Sequence, residues 1–203
     1  DEKAYVFHLR EGVTWNDGQP FSAQDVAFTV QYIKDHPYQW VDSGIIEEAM
    51  ASDDNTVKIT LKKDYAPFLD QVAGTLPIMP EHVYEDVSDP TGFKDDAALT
   101  GTGPFKLVNY DKTQGTYLYE ANENYYQGAP KVKQIKFVKI SLEMSAAALE
   151  KGDVDAAIVP GETVDGLENK GFDVVEASHD WVAKIMVNHR KAPFSDVKFR
   201  QAL

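Results

Sequence analysis

Phe7-His8-Leu9-Arg10-Glu11-Gly12-Val13-Thr14-Trp15-Asn16-Asp17-Gly18-Gln19-Pro20-Phe21-Ser22-Ala23-Gln24-Asp25-Val26 is the stretch on which the reading of this chain turns. Its beginning continues an alternation of apolar residues (Tyr5, Phe7, Leu9), which predicts a strand over 5–10. Trp15 to Pro20 then supplies turn chemistry, with Gly18 free to take the positive φ that other residues avoid. Ser22-Ala23-Gln24-Asp25 has capping-box spacing: the Ser22 hydroxyl reaches the N–H of Asp25, whose carboxylate reaches back. Val26, Val30 and Ile33 recur on one face and Pro37 bars continuation, so the helix spans about 23–35.

Beyond this helix, 45–51 and 56–62 flank Asp53-Asp54-Asn55. The second arm sets Val57, Ile59 and Leu61 against Lys58, Thr60 and Lys62, as in a half-buried hairpin. A short helix is expected from Pro67 to Ala73. Residues 85–101, rich in Asp, Gly, Pro and hydroxyl residues, read as a long surface connection. A second hairpin follows over 105–110 and 116–121, turning through Asp111 to Gly115.

From Pro130 the rhythm changes. It predicts strand 135–140, helix 142–151 stopped by Gly152, strand 154–159, helix 163–170 stopped by Gly171, strand 172–177 and a last strand 182–187. Alternation of this kind argues for an α/β layer, so the whole is mixed α/β with a seam near Pro130. Both ends read as cut: the first residues run straight into a strand, and Phe199-Arg200-Gln201-Ala202-Leu203 lies inside a helix without a stop signal.

The chain has 203 residues, 43% of them hydrophobic, enough for a core. Its net charge of −13 repels phosphate backbones and anionic lipid, which argues against nucleic-acid and membrane-surface partners. No run approaches the roughly 20 apolar residues of a spanning helix, and Asp1-Glu2-Lys3 does not open an export signal. With no cysteine, disulfides are excluded.

Catalytic chemistry finds no foothold. The five histidines, His8, His36, His82, His179 and His189, form no close pair at ligand spacing, so no metal site is expected. There is neither a G-x-S-x-G elbow nor a phosphate-binding loop. In Gly101-Thr102-Gly103-Pro104 the proline removes an amide donor, and a strand follows where a phosphate-cradling helix would begin. The adjacent acids Glu47-Glu48, Asp53-Asp54 and Asp95-Asp96 read as solvated turns and strand ends. Tyr38 and Trp40, beside Pro37, suit a wet cleft, offering apolar faces with polar tips; packing of their loop onto its own domain is the alternative.

Four segments, in order, resemble the family 5 extracellular solute-binding proteins, the dipeptide-, oligopeptide- and nickel-binding components of ABC importers. The first is the opening stretch itself. The second is Gly101-Thr102-Gly103-Pro104-Phe105-Lys106-Leu107 with Asn122 and Tyr125-Tyr126-Gln127-Gly128-Ala129-Pro130-Lys131, where the family often has Trp at the position of Tyr126. The third is Ala148-Leu149-Glu150-Lys151-Gly152-Asp153-Val154-Asp155. The fourth is Asn188 with Pro193-Phe194-Ser195-Asp196-Val197-Lys198-Phe199-Arg200-Gln201-Ala202-Leu203.

The resemblance implies a two-lobed periplasmic-binding-protein type II fold, of which this chain is mostly the first lobe. Residues 1–130 would be its hairpin-rich accessory subdomain, 131–187 part of its α/β core, and 188–203 the crossing to the second lobe. It implies a binding protein and not an enzyme, without cofactor, exported to the periplasm or the outer face of the cytoplasmic membrane. Its partners would be a peptide or similar small solute and the permease subunits of an ABC transporter, the membrane being met only through the transporter or an anchor outside this chain. A nickel chelate, haem, a sugar or another solute is an alternative ligand, and a sensor module of a transcription regulator an alternative setting. Cleft candidates are Tyr38, Gln39 and Trp40, and the strand-end loop Val159-Pro160-Gly161, since ligands gather at the C-terminal ends of strands in open α/β sheets. Because the family's second lobe supplies much of the recognition of a peptide's termini, the isolated chain is expected to bind peptides very weakly or not at all.

Overall fold

The capping box predicted at Ser22 is present in full in a computed structural model that describes residues 3–175 and 186–202. Helix α1 (Ala23–Asp35) begins where Ser22 leaves the extended backbone: its hydroxyl accepts from the N–H of Gln24, and Asp25 accepts from the Ser22 N–H at 2.9 Å. Before it, strand β1 (Ala4–His8) leads into the turn, where Gly18 takes a φ of 93° and Thr14 bridges Pro20. The chain divides into two compact units, Asp1–Lys139 and Ile140–Leu203.

In the first unit, β2 (Ile46–Asp53) and β3 (Thr56–Leu61) form the expected hairpin. With β1 they make an antiparallel sheet in the order β1-β3-β2, with Tyr5 opposite Ile59 and Ala49 also opposite Ile59. The two-residue period sends Val57, Ile59 and Leu61 to one face and Lys58 and Thr60 to the other. Ala23, Val26, Val30 and Ile33 of α1 cover that apolar face, and Phe68 and Val72 complete the core. Phe68 is fully buried, 4.6 Å from Tyr5 between ring centroids. The helix expected at 67–73 is a single π-helical turn over Leu69–Ala73.

The connection over 85–101 is less bare than its composition predicts. Helix α2 (Glu81–Tyr84) precedes it, and a 3₁₀ turn occupies Asp96–Leu99. Aromatic packing holds it to α1: Tyr32 meets Tyr84 edge-on at 5.9 Å, and Tyr84 meets Phe93 at 5.5 Å. The turn before α1 reaches the same region. Asn16 donates through its backbone N–H to the Gly101 carbonyl at 2.9 Å, and Asp17 pairs with His82 at 2.7 Å.

Burial pushes the Asp17 carboxyl up, but hydrogen bonds from His82 and the Gln19 N–H, with the charge of His82, outweigh it and hold the carboxyl below the ordinary aspartate value. The folded state therefore favours the ionised form. The resulting stability is present above the unfolded pKa of about 3.9 and is lost as pH falls through the lowered folded value. In urea titrations between pH 5 and pH 2.5, Asp17→Asn is expected to lose less stability on acidification than the parent. Parallel curves would refute this coupling.

A second antiparallel sheet has the order β4-β5-β6, from β4 (Phe105–Asp111), β5 (Thr116–Ala121) and β6 (Gln134–Phe137). The hairpin turn is set by Asp111, whose Oδ1 accepts from the N–H groups of Thr113 and Gln114. Buried Asn122 donates to the Gly103 carbonyl and accepts from the Asn124 N–H, fixing the chain as it leaves β5. The strand expected at 135–140 is β6. It pairs antiparallel with β5, Tyr119 opposite Ile135, so it closes this sheet and does not open a parallel one.

In the second unit, α3 (Leu142–Lys151) ends where expected. Gly152 takes φ 74°, and the N–H groups of Gly152 and Asp153 return to the carbonyls of Leu149 and Ala148. A 3₁₀ turn (Gly161–Thr163) leads into α4 (Val164–Glu168), and α5 (Val197–Gln201) starts at Asp196, whose side chain accepts from the Lys198 N–H. Lys170 pairs with Glu150 at 2.7 Å.

The intervening strands are a correction: 154–159 and 172–175 are not strands. A strand exists through its ladder hydrogen bonds, and among the described residues these segments have no neighbour to pair with. Ile158 and Val175 stand 86% and 89% exposed. The rest of the strand expected at 172–177, and residues 182–185 of the one expected at 182–187, lie outside the described residues. All the described strand pairs are antiparallel, within a mixed α/β architecture.

Candidate functional site

Tyr38, Gln39 and Trp40 sit together on the loop that leaves α1. Proline at 37 ends the helix, with His36 turning out of helical geometry at φ −126°, ψ 75°. The loop is fastened at its far end, where Val41 is buried and Asp42 caps the following 3₁₀ turn (Ser43–Ile45) by accepting from the Gly44 N–H. Between these anchors a tight turn, closed by the Val41 N–H donating to the Tyr38 carbonyl at 3.1 Å, carries the candidate residues outward.

Tyr38 is 42% exposed and Trp40 70%. An indole displayed to this degree gains little from its own domain, so the packing alternative does not describe Trp40. The arrangement offers two flat apolar faces with hydrogen-bonding edges on an anchored turn, suited to stacking and to polar contacts at a wet surface.

Val159, Pro160 and Gly161 belong to the second unit. They do not end a strand. Pro160, extended at φ −61°, ψ 140°, instead starts the turn into α4, its carbonyl accepting from both the N–H and the hydroxyl of Thr163. The two candidate groups thus stand on separate units, each shaped by its own local turn.

Two features of the first unit were not anticipated from the sequence. Arg10 lies over the ring of Tyr126, 5.2 Å from its centroid, tying the loop after β1 to the segment after β5. The second sheet carries an aromatic row. Tyr110 stacks on Tyr117 at 4.4 Å, Tyr119 meets Phe137 at 5.6 Å, and a shallow depression of about 430 Å³ lies among Tyr110, Tyr117, Phe137, Lys112 and Lys139. The alternation Tyr117-Leu118-Tyr119 is the sequence signal for that row, legible only once its strand partners are known.

Among the described residues, no three His, Asp or Glu side chains gather in a way that would hold a metal ion, and no helix is long and apolar enough to cross a membrane. Asp25, the most buried acid among the described residues, is occupied structurally by the N–H groups of Ser22, Glu81 and the Trp15 indole.

Comparison with known proteins gives a consistent result. A family profile described as "Bacterial extracellular solute-binding proteins, family 5 Middle" matches residues 1–203. The chain is 30% identical to the dipeptide-binding protein of Escherichia coli K12 and 32% identical to heme-binding protein A of Haemophilus influenzae, in each case over 100% of the chain and 42% of the relative. Among solved structures it resembles NikZ from Campylobacter jejuni in complex with Ni(L-His), with TM-score 0.73 and 28% identity over 84% of this chain and 35% of that one. The chain spans about 42% of the length of the two curated relatives.

Proposed function

We propose, on the ground that this chain belongs to the bacterial extracellular solute-binding proteins of family 5, that it is part of a protein that captures peptides outside the cytoplasmic membrane and delivers them to the permease of an ABC importer. The observation that carries this reading is the match of the family profile across residues 1–203. Residues 1–130 serve as the accessory subdomain of the first lobe, 131–187 as part of its core and 188–203 as the crossing to the second lobe.

The physical mechanism is reversible enclosure. A ligand that touches both lobes only in the closed state shifts the open and closed populations by its differential affinity, and the transporter reads the closed form. Affinity that tolerates many side chains comes from the peptide's backbone and termini, with hydrated pockets accepting the rest. Within the first unit, Tyr38, Gln39 and Trp40 offer aromatic faces and an amide edge for contact with a solute; within the second unit, and taken by itself, the turn of Val159, Pro160 and Gly161 offers backbone for such contact. No step of this cycle makes or breaks a covalent bond.

A second reading within the family, a haem or metal chelate as solute, is favoured by one observation: heme-binding protein A is as similar to this chain as the dipeptide-binding protein is.

Calorimetry on the full-length protein separates the two, using a dipeptide and oligopeptide panel, nickel with histidine, and haem. Trp40→Ala is expected to weaken binding of the true solute about tenfold, as for truncation of an exposed aromatic anchor, while leaving stability within about 0.5 kcal/mol. Undiminished affinity in Trp40→Ala would remove this loop from the site. Binding of haem or nickel chelate without binding of any peptide would replace the first reading by the second.

A further inference from the structure

The apolar face of the second sheet ends in a row of displayed rings. Tyr110 of β4 lies opposite Tyr117 of β5, and Tyr117 lies opposite Phe137 of β6, so the three side chains leave the sheet on the same side. Tyr110 and Tyr117 stack with their planes only 8° apart. One step inward on this face, Tyr119 and Ile135 are half-buried. At the end of the face Tyr110, Tyr117, Phe137 and the following Val138 are exposed, Phe137 by 57%. Contiguous apolar surface of this kind marks a place of contact with another molecule.

Lys112 and Lys139 flank the rings and, with them, line the depression of about 430 Å³. The stem of Lys139 lies along the hairpin turn, 3.6 Å from where a side chain at Gly115 would begin. Neither ammonium group is in an ion pair among the described residues. Asp111, the acid of that turn, is engaged by the N–H groups of Thr113 and Gln114. Elsewhere on the sheet the acids have partners of their own, Glu120 accepting from Gln134 and Glu123 pairing with Lys133. Over residues 104–139 six lysines stand against three acids, a net charge of +3 in a chain whose total is −13.

A surface with rings at its centre and cations at its rim selects a partner that brings apolar groups and carboxylates together. A short segment meets the local field alone, because charges beyond about 8–10 Å are screened. An extended anionic surface, such as a membrane or a nucleic acid, also meets the −13 of the whole chain and is repelled. We propose that the end of the second sheet formed by Tyr110, Tyr117 and Phe137 docks an acidic segment of another protein, with an aromatic side chain set between its carboxylates. The aromatic group lies against Phe137 and the tyrosine pair, and the carboxylates reach Lys112 and Lys139. This docking is independent of the solute and of the loop that carries Tyr38 and Trp40.

The test is titration of the full-length protein into a fluorescein-labelled octapeptide of alternating glutamate and tyrosine, followed by anisotropy, with amide resonances of the protein recorded in parallel. Saturable binding is expected below about 1 mM, with the perturbed amides concentrated at 110–117 and 137–139. The double variant Lys112→Glu, Lys139→Glu, both positions lying outside the strands, is expected to weaken it at least about tenfold, and Phe137→Thr, a strand-compatible exchange, about tenfold. Absence of saturable binding, undiminished binding by the double variant, or equal binding of an octapeptide of alternating lysine and tyrosine would overturn the docking. So would perturbed amides confined to 38–40, which would place the peptide at the solute loop, or binding of phosphatidylserine vesicles in place of the peptide.

Discussion

Asp25→Ala is expected to destabilise the first unit by about 3 kcal/mol, because it strands buried donors that have no other partner. The carboxylate is 5% exposed. Its Oδ2 accepts from the Ser22 N–H at 2.9 Å and the Trp15 indole N–H at 3.4 Å, and its Oδ1 accepts from the Glu81 N–H at 3.0 Å. One side chain thus closes the cap of α1, holds the turn before it, and seats the start of α2. It also lies in the first helical turn, where negative charge is favoured. Asp25→Asn sets an amide donor against at least one of these donors and is expected to cost about 2 kcal/mol. Urea unfolding followed by the fluorescence of buried Trp15 measures both; an Asp25→Ala midpoint equal to that of the parent would show that the cap is dispensable.

Phe68→Ala should cost about 3–5 kcal/mol, the range for removing a large aromatic from a filled core. Phe68 has no exposed surface and sits against Tyr5 and Phe7 of β1, with ring centroids at 4.6 and 6.5 Å. The residues around it come from α1 and from all three strands of the first sheet, a shell that cannot collapse onto the vacated space without moving the sheet. Phe68→Leu refills most of the volume and is expected to recover more than half of the loss. Equal losses in the two variants would mean that the ring's shape, and not its volume, matters here.

The elements legible in the sequence are those whose cause is local. Ser22 and Asp25 lie three residues apart and define the start of α1; Gly152, with its positive φ, defines the end of α3; the alternation Val57, Ile59, Leu61 defines β3 and its buried face. The features that the local sequence does not show depend on distant partners. Residues 154–159 carry strand-forming side chains but have no neighbouring strand among the described residues, so their composition alone did not make a strand. The strand at Ile135 was visible, but its antiparallel pairing with β5 was not, because register and direction are properties of two segments.

The candidate site divides in the same way. The break after α1 at Pro37 placed Tyr38, Gln39 and Trp40 on a loop, and their outward display follows from the anchors His36 and Val41. Val159-Pro160-Gly161 reads in the sequence as the end of a strand, and the structure gives it a different origin, the entry to α4. The contact of the His36 ring with the Ser88 carbonyl at 2.9 Å is not legible locally, since Ser88 lies 52 residues away and only the packing of the 85–101 connection onto α1 brings its carbonyl to the ring.

Reversible solute capture without chemistry, the role proposed for these residues, is separated from turnover by equilibrium dialysis of the full-length protein against a labelled dipeptide and oligopeptide mixture, followed by mass spectrometry of the released ligand. Saturable binding at one solute per protein and recovery of that solute chemically intact are expected; release of cleaved or modified product at more than one equivalent per protein would refute capture.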